Sequence, residues 1–154
     1  MQLHHFTWDD PDSNPALYWE YLKLRKTMFV DGLRWPMPCF KGAEFDFYDL
    51  PFASYLFLTD DSARLVAGVR MIRTDNRIAY HGQTVTYMIR DAWRGAFDTI
   101  PRHVTQGPPP CDARTWEISR IVSVGGVRAT AMVIRGVCDL GHRLGGTRTV
   151  YLAS

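Results

Sequence analysis

Residues 64–72 read Arg-Leu-Val-Ala-Gly-Val-Arg-Met-Ile, and residues 115–124 read Thr-Trp-Glu-Ile-Ser-Arg-Ile-Val-Ser-Val. Both runs predict β-strands, in which alternate side chains point to opposite faces of a sheet. A further strand is predicted at residues 54–58. The turn Thr59-Asp60-Asp61-Ser62 follows it and has the composition of a hairpin connection.

A helix is predicted before the first of these strands. From Pro15 to about Val30 the apolar residues recur at helical spacing, and Asp31-Gly32 is a suitable end. Proline is tolerated in the first turn of a helix, so the helix is expected to begin at Pro15. The candidate capping residues just before it are Asp12, Ser13 and Asn14.

The remaining segments complete a mixed α/β order. A helix, antiparallel strands, a short helix, a strand, a longer helix and a last strand follow one another, which predicts a three-layer sheet flanked by helices. We expect one domain over residues 1–154. No regular element is assigned to the polar residues 1–14, the irregular segment 33–53 or the polar segment 73–86. The later elements are predicted at residues 88–97 (helix), 115–124 (strand), 127–144 (helix) and 147–152 (strand).

Composition excludes several classes of protein. The chain has 154 residues, of which 46% are hydrophobic and 22% charged, so it can bury a core and is not intrinsically disordered. A net charge of +2 is too small to indicate a nucleic-acid binder. No apolar run is long enough for a membrane span, and the three separated cysteines indicate neither a zinc site nor a disulfide framework. We therefore expect a cytoplasmic protein with no metal centre.

Three arginines occupy faces that are otherwise apolar. Arg25 shares a helical stripe with Tyr18, Tyr21, Leu22 and Phe29. In the strand at 64–72, alternation places Arg70 with Val66, Gly68 and Ile72. In the strand at 115–124, alternation places Arg120 with Trp116, Ile118 and Val122, while Glu117 and Ser119 lie on the other face.

A buried guanidinium group needs an acidic partner or an anionic ligand, because an unpaired charge in a core costs several kcal/mol. One interpretation is a set of structural ion pairs, or arginines whose heads reach water. The other is a polar site for a ligand that carries both charges. Phe29 and Trp35 fit such a site because aromatic faces attract cations, and Glu117 is either a general base or an arginine's partner. The candidate acids are Glu44, Asp46, Asp49 and Glu117.

The full pattern resembles the acyl-homoserine-lactone synthases of bacterial quorum sensing, which are also called autoinducer synthases. The order and spacing of the charged and aromatic positions agree across residues 25–120. The segments at 67–74 and 116–121 are especially similar to the corresponding segments of that family. The shared pattern is Arg25-x3-Phe29-x5-Trp35, Glu44-x-Asp46-x2-Asp49, Gly68-x-Arg70 and Glu117-x-Ser119-Arg120.

The resemblance implies a fold like that of the GCN5-related N-acetyltransferases and a reaction between two substrates. The amine of S-adenosylmethionine, a substrate and not a cofactor, would attack an acyl thioester carried by acyl carrier protein or coenzyme A. Its carboxylate would then close the lactone and expel methylthioadenosine. By the family's pattern, Arg70, Glu117 and Arg120 hold the reacting centre, with Glu117 the favoured base. The residues that would shape the S-adenosylmethionine pocket are Arg25, Phe29, Trp35, Asp46 and Asp49.

The acyl side of the resemblance is less complete. Trp93 stands where the family often has phenylalanine, so we expect it to alter the acyl entrance. A basic strip on the helix at 127–144, formed by Arg128, Arg135 and Arg143, suits an acidic carrier protein, or it is a solvated surface. From the resemblance we expect the chain to lack the family's C-terminal portion, and an exposed edge strand there would favour self-association.

Two alternatives remain open at the level of sequence. One is an N-acyltransferase of the same fold that acts on a different amine. The other is a non-catalytic, truncated remnant that binds S-adenosylmethionine or a carrier protein. The length of the acyl chain and its 3-oxo or 3-hydroxy preference depend on the volume of the pocket, which the sequence does not give.

Overall fold

The computed structural model describes residues 1–97 and 107–151. A seven-residue π-helical segment, Lys26–Gly32, continues directly from the first helix. The regular elements in chain order are β1 (Gln2–Phe6), α1 (Pro15–Arg25), β2 (Cys39–Phe40), β3 (Ala43–Glu44), β4 (Ser54–Thr59), β5 (Leu65–Arg73), β6 (Ile78–Tyr80), β7 (Gln83–Val85), α2 (Met88–Trp93), β8 (Thr115–Ser123), α3 (Gly126–Arg143) and β9 (Arg148–Val150).

Five strands form one mixed sheet in the order β1-β4-β5-β8-β9. The first four are antiparallel to their neighbours, whereas β8 and β9 are parallel and are connected through α3. The helix α1 packs against one face of the sheet and α3 against the other. The sheet with helices on both faces is the predicted three-layer architecture.

The two faces of the sheet bury different kinds of side chain. On β4, Tyr55 and Phe57 enter a largely aromatic core beneath α1, whereas Leu56 and Leu58 enter an aliphatic core beneath α3. This alternation is the period of two that a strand imposes. The charged residues discussed below lie on the side of α1, so the sheet and the aliphatic core separate the candidate site from α3.

The first helix begins and ends as its sequence predicts. Asn14 is the capping residue, since its side chain accepts a hydrogen bond of 3.0 Å from the backbone N–H of Ala16. The buried stripe of α1 consists of Tyr18, Tyr21, Leu22 and Arg25, and Phe29 extends it into the π-helical segment. The helical conformation ends at Gly32, where the sequence indicates a stop.

A β-bulge in β8 overturns the predicted position of Arg120. Gly68 pairs with Val122 and Arg70 pairs with Ser119, so β8 has one more residue than β5 between these two pairs. Arg120 has a φ of 55°, the left-handed conformation that such bulges use. The extra residue places Arg120 and Val122 on the α1 side of the sheet. The expectation that they share the face of Trp116 and Ile118 was therefore wrong.

A second irregularity affects Val66. Thr59 pairs with Leu65 and Leu58 pairs with Ala67, which leaves Val66 as the extra residue of β5. Val66 packs against the aliphatic core under α3 and not with Gly68 and Arg70, contrary to the simple alternation. The predicted common face of Gly68, Arg70 and Ile72 is confirmed, because the residues that pack against them belong to the α1 side.

Three segments contain strands that the sequence did not indicate. β1 adds an edge strand to the sheet through five antiparallel pairs with β4. The irregular segment after α1 contains the hairpin of β2 and β3, and the polar segment before α2 contains the hairpin of β6 and β7. The elements α2 and β9 are shorter than predicted, and Leu152 of the predicted last strand lies outside the described residues.

Candidate active site

Three arginines from three elements converge on one buried cluster. Arg25 comes from α1, Arg70 from β5 and Arg120 from the bulge of β8. The side chains of Arg25 and Arg70 are fully buried, and only 10% of the Arg120 side chain is exposed. Each guanidinium group has acidic neighbours within 4 Å, which makes its burial tolerable. The acids come from β3 and the loop that follows it, and they are Glu44, Asp46 and Asp49.

Arg25 is held by two acids at once. Its Nε donates to Oε2 of Glu44 at 2.5 Å, and its Nη1 and Nη2 donate to the two carboxylate oxygens of Asp49 at 2.7 and 3.0 Å. Asp49 also accepts a hydrogen bond of 3.1 Å from the hydroxyl of Tyr55. A bidentate pair of this kind fixes the orientation of both side chains. Arg25 and Asp49 therefore form the rigid side of the cluster.

Asp46 joins the other two arginines. It accepts hydrogen bonds from both terminal nitrogens of Arg70, and its Oδ2 lies 2.8 Å from Nη2 of Arg120. Burial alone would raise the pKa of Asp46. The adjacent guanidinium groups of Arg70 and Arg120 outweigh that effect and hold the pKa well below its usual range. Asp46 is therefore ionised throughout the neutral pH range.

Two polar atoms in this cluster are buried without a hydrogen-bond partner among the described residues. They are Oε1 of Glu44 and Nε of Arg120, which lie 3.9 Å from each other. One is an acceptor and the other a donor, and both belong to charged groups. A ligand with an ammonium and a carboxylate group would supply what these two atoms lack.

Glu117 lies next to the cluster but is held differently. Its carboxylate accepts hydrogen bonds from the backbone N–H groups of Ile89 (2.8 Å) and Met88 (3.3 Å), in the first turn of α2. Within the described part of the chain it forms no ion pair. Burial raises the pKa of Glu117 to about 7, against the smaller opposing effects of these N–H groups and of Arg70. Glu117 can thus change protonation state near neutral pH.

Aromatic side chains border the cluster on the side of the π-helical segment. Phe29 and Trp35 stack with their ring centroids 5.2 Å apart and their planes at 8°. The guanidinium carbon of Arg120 lies 5.5 Å from the Phe29 centroid, and Nη2 of Arg120 lies 3.9 Å from the sulfur of Met37. Trp35 is half-buried, so part of its surface stays free for a ligand.

Tyr21 fixes the bulge that carries Arg120. Its hydroxyl donates a 2.7 Å hydrogen bond to the carbonyl of Arg120, across the α1–β8 interface. The Tyr21 ring lies directly over Gly68, where a Cβ atom would be only 2.6 Å from Cδ2 of the ring. A larger residue at position 68 would displace the ring, so Gly68 and Tyr21 together determine where the backbone of Arg120 lies.

The structure brings together most of the residues that the sequence singled out. Arg25, Arg70, Arg120, Asp46 and Asp49 share hydrogen bonds or ion pairs, and Phe29, Trp35 and Glu117 border them. Trp93 is the exception, because it is half-buried in the last turn of α2 with no hydrogen bond or aromatic stacking to the cluster.

Two contributors were missed at the level of sequence. Glu44 was only a candidate acid, although it binds Arg25 and faces Arg120. Its place two residues before Asp46 in the same acidic segment was the available signal. The N–H groups of Met88 and Ile89 had no such signal, because backbone donors depend on where α2 begins. Within residues 1–97 and 107–151, no three His, Cys, Asp or Glu side chains are grouped as a metal site.

Solved structures of similar fold come from two groups of acyltransferases. The chain superposes on TofI in a ternary complex with an inhibitor and MTA with a TM-score of 0.74 and 19% identity, over 98% of this chain and 71% of TofI. It superposes on BjaI, a CoA-dependent acyl-homoserine lactone synthase with SAM and isopentyl-CoA, with a TM-score of 0.72 and 20% identity. That match covers 97% of this chain and 64% of BjaI. An aminoglycoside acetyltransferase from an uncultured soil metagenomic sample matches with a TM-score of 0.54 and 12% identity, over 99% of this chain and 79% of that one. The expected acetyltransferase-like fold is confirmed.

Sequence comparison identifies the family. An acyl-homoserine-lactone synthase of Vibrio anguillarum is 33% identical over 78 residues, which are 51% of this chain and 36% of the relative. One of Pectobacterium parmentieri is 40% identical over 55 residues, or 36% of this chain and 25% of the relative. The matches thus span about a third or less of the length of these relatives. The family model for autoinducer synthases matches residues 13–122, more than half of the chain. The chain therefore belongs to the autoinducer synthase family.

Proposed function

We propose that this chain is an acyl-homoserine-lactone synthase. It transfers an acyl group from a thioester to the amine of S-adenosylmethionine and then closes the lactone, which makes a quorum-sensing signal. The observation that carries this proposal is the buried cluster of three arginines and three acids beside Glu117. Membership of the autoinducer synthase family supports it.

The charges of the cluster match the charges of S-adenosylmethionine. This substrate presents a sulfonium, an ammonium and a carboxylate group within a few ångströms. Asp46 and the stacked pair of Phe29 and Trp35 suit the cations, and the guanidinium groups of Arg70 and Arg120 suit the carboxylate. The bidentate pair of Arg25 and Asp49 holds the β3–β4 loop, which carries Asp46, in place. A solved structure of BjaI, which shares the fold, contains SAM and isopentyl-CoA, and this supports both substrates here.

Glu117 is the proposed general base. The attacking amine must be neutral, so its proton must pass to a base directly or through one water molecule. A carboxyl with a pKa of about 7 is ionised in about half of the molecules at neutral pH and holds the transferred proton well. An ordinary glutamate would be ionised but would be a weaker base.

The proposed reaction proceeds in two displacements. Glu117 takes one proton from the ammonium group, and the neutral amine nitrogen then attacks the thioester carbonyl. The tetrahedral oxyanion collapses and expels the carrier's thiolate, which receives the second proton of the amine nitrogen. The carboxylate of the acylated product then attacks its own γ-carbon and the C–S bond breaks, which releases neutral methylthioadenosine and the lactone. Backbone N–H groups beside Arg120 would stabilise the negative charge that develops on the oxygen in the first step.

The donor side of the site stays a proposal from the sequence. We expect acyl carrier protein or acyl-CoA as the donor and Trp93 at the acyl entrance. The basic residues Arg128, Arg135 and Arg143 of α3 are all exposed, as a carrier-protein surface would require. β9 lies at one edge of the described sheet, and self-association through this edge stays a prediction. That residues 1–154 form a single synthase-like domain also stays a prediction.

A cytoplasmic location is likewise a prediction. None of the helices in the described ranges is long and apolar enough to cross a lipid bilayer.

A turnover assay tests the proposed function. The purified chain is incubated with S-adenosylmethionine and either an acyl-CoA or an acylated carrier protein, and the products are identified by mass spectrometry. We expect methylthioadenosine and an acyl-homoserine lactone in equal amounts. The matched control is Glu117→Gln, which should lower the rate about 10²–10⁴-fold if Glu117 is the base. Amide formation without methylthioadenosine would indicate an N-acyltransferase for another amine, and no product from any donor would contradict catalysis.

A further inference from the structure

Two buried polar residues lie next to the site and take no part in the proposed chemistry. Tyr48 lies between Asp46 and Asp49 in the β3–β4 loop, and Asp91 lies in α2. The hydroxyl of Tyr48 donates a hydrogen bond of 3.2 Å to Oδ2 of Asp91. Their exposed fractions are 4% and 5%, so water does not compete for this contact.

Asp91 is also bound to the residue that leads into α2. It accepts hydrogen bonds from the backbone N–H of Thr86 (3.0 Å) and from the Thr86 hydroxyl (2.7 Å). Thr86 is two residues before Met88, and the N–H groups of Met88 and Ile89 donate the two backbone hydrogen bonds to Glu117. Asp91 thus ties the start of α2 back onto its own helix.

Tyr48 connects the same unit to the charged cluster. Its backbone N–H donates to Oδ1 of Asp46 at 2.8 Å, and the guanidinium carbon of Arg70 lies 5.7 Å from its ring centroid. The unit therefore runs from the proposed substrate pocket at Asp46 to the first turn of α2. The hydrogen bonds of Asp91 in this unit are buried, and those from Tyr48 to Asp46 and from Met88 to Glu117 are partly buried.

We propose that Tyr48 and Asp91 are positioning residues that hold the first turn of α2 so that its N–H groups point at the carboxylate of Glu117. Through those N–H groups they control how tightly Glu117 holds its proton. The effect on catalysis rests on the proposed function, but the effect on Glu117 itself does not.

The direction of the effect follows from the groups that face Glu117. They are Arg70 from β5, Asp46 and Tyr48 from the β3–β4 loop, Tyr87 just before α2, and the N–H groups of Met88 and Ile89 from α2. The N–H groups and Arg70 favour the carboxylate, whereas burial and Asp46 favour the acid. If the first turn of α2 moves away, the carboxylate loses two donors and the proton is held more tightly. Loss of the Asp91 charge acting through space would have the opposite sign.

The experiment measures the titration of Glu117 by NMR without any turnover. The chain contains only three glutamates, Glu20, Glu44 and Glu117, so labelling glutamate with ¹³C at its carboxyl carbon gives three signals. The Glu117 signal is the one that disappears in Glu117→Gln. The variants are Tyr48→Phe, which changes no charge, and Asp91→Asn. The control is Tyr18→Phe, which alters a buried tyrosine of the α1 core.

We expect the midpoint of the Glu117 titration to rise by about 1 pH unit in Tyr48→Phe and in Asp91→Asn, and to stay unchanged in Tyr18→Phe. The acid side of the pH–rate profile should move in the same direction. A midpoint that stays the same or falls in the folded Tyr48→Phe variant would overturn the proposal, and so would an equal shift in the control. A shifted midpoint in a protein that makes no lactone would leave the positioning role intact and contradict only the proposed function.

Discussion

Replacement of Glu117 by glutamine should change the stability of the protein in a way that depends on pH. Burial raises the pKa of this carboxyl from 4.5 to about 7 in the folded state. The folded protein therefore holds the proton more tightly than the unfolded chain does. The resulting stabilisation is complete below pH 4.5 and is lost as the pH rises through the folded-state pKa.

The size of the effect follows from the same two values. A difference between 4.5 and about 7 corresponds to about 3 kcal/mol in the free energy of unfolding. Glu117→Gln removes the ionisation but keeps one oxygen that can accept from Ile89. The donors of the new amide group lack a partner there, so the variant carries a cost that is the same at every pH.

Urea unfolding at about pH 5 and about pH 8.5, followed by tryptophan fluorescence, measures the effect. The free energy of unfolding of the unaltered chain, minus that of Glu117→Gln, should fall by up to about 3 kcal/mol between the two pH values. The cost of the substitution itself cancels in this comparison. The same free-energy difference at both pH values would show that Glu117 titrates normally, and it would remove the physical basis for its role as a base.

Two further substitutions test the packing and the charges of the site. Gly68→Ala should destabilise the fold by about 1–3 kcal/mol because its Cβ would displace the Tyr21 ring, while Gly141→Ala, whose Cβ would lie 3.8 Å from its nearest neighbour, should cost nothing. Equal melting temperatures for the two variants would refute the role of Gly68. Arg25→Met should cost about 3–5 kcal/mol in urea unfolding, since it leaves buried carboxylates unpaired, whereas Lys23→Ala, which breaks an exposed ion pair on the same helix, should cost less than about 1 kcal/mol. A small loss in Arg25→Met would mean that the cluster contributes little to stability.

The order of the main elements could be predicted from sequence because periodicity reports which face of an element is buried. The stripe of α1 and the position of Arg70 followed directly from this rule. β1 could not be predicted in the same way. It is an edge strand, and only Phe6 of its five residues is buried, so its sequence reads as polar.

The position of Arg120 shows where the rule fails. Alternation alone assigned it to the face of Trp116, because nothing in the sequence of β8 indicates a β-bulge. The bulge arises from the pairing of β8 with β5, and Tyr21 holds it from another element. Such tertiary contacts are not visible in a local pattern. The assignment of Arg120 to the site came from the resemblance to the acyl-homoserine-lactone synthases and did not depend on its predicted face.

The proton affinity of Glu117 was equally beyond the sequence. Its spacing left two roles open, as a base or as the partner of an arginine. Burial and the backbone donors of α2 set its proton affinity, and both are properties of the folded chain, whereas its role as the base stays a proposal.

Calorimetric titration of the chain with S-adenosylmethionine and with methylthioadenosine is the most direct test of the charged cluster as a binding site. The second compound lacks the sulfonium, ammonium and carboxylate groups. We expect the unaltered chain to prefer S-adenosylmethionine, and Asp46→Asn to lose about 10- to 100-fold of that preference, as the loss of one charged hydrogen bond implies. Equal affinity for the two compounds in both proteins, or no binding of S-adenosylmethionine, would contradict the proposal that this cluster binds the charged end of the substrate.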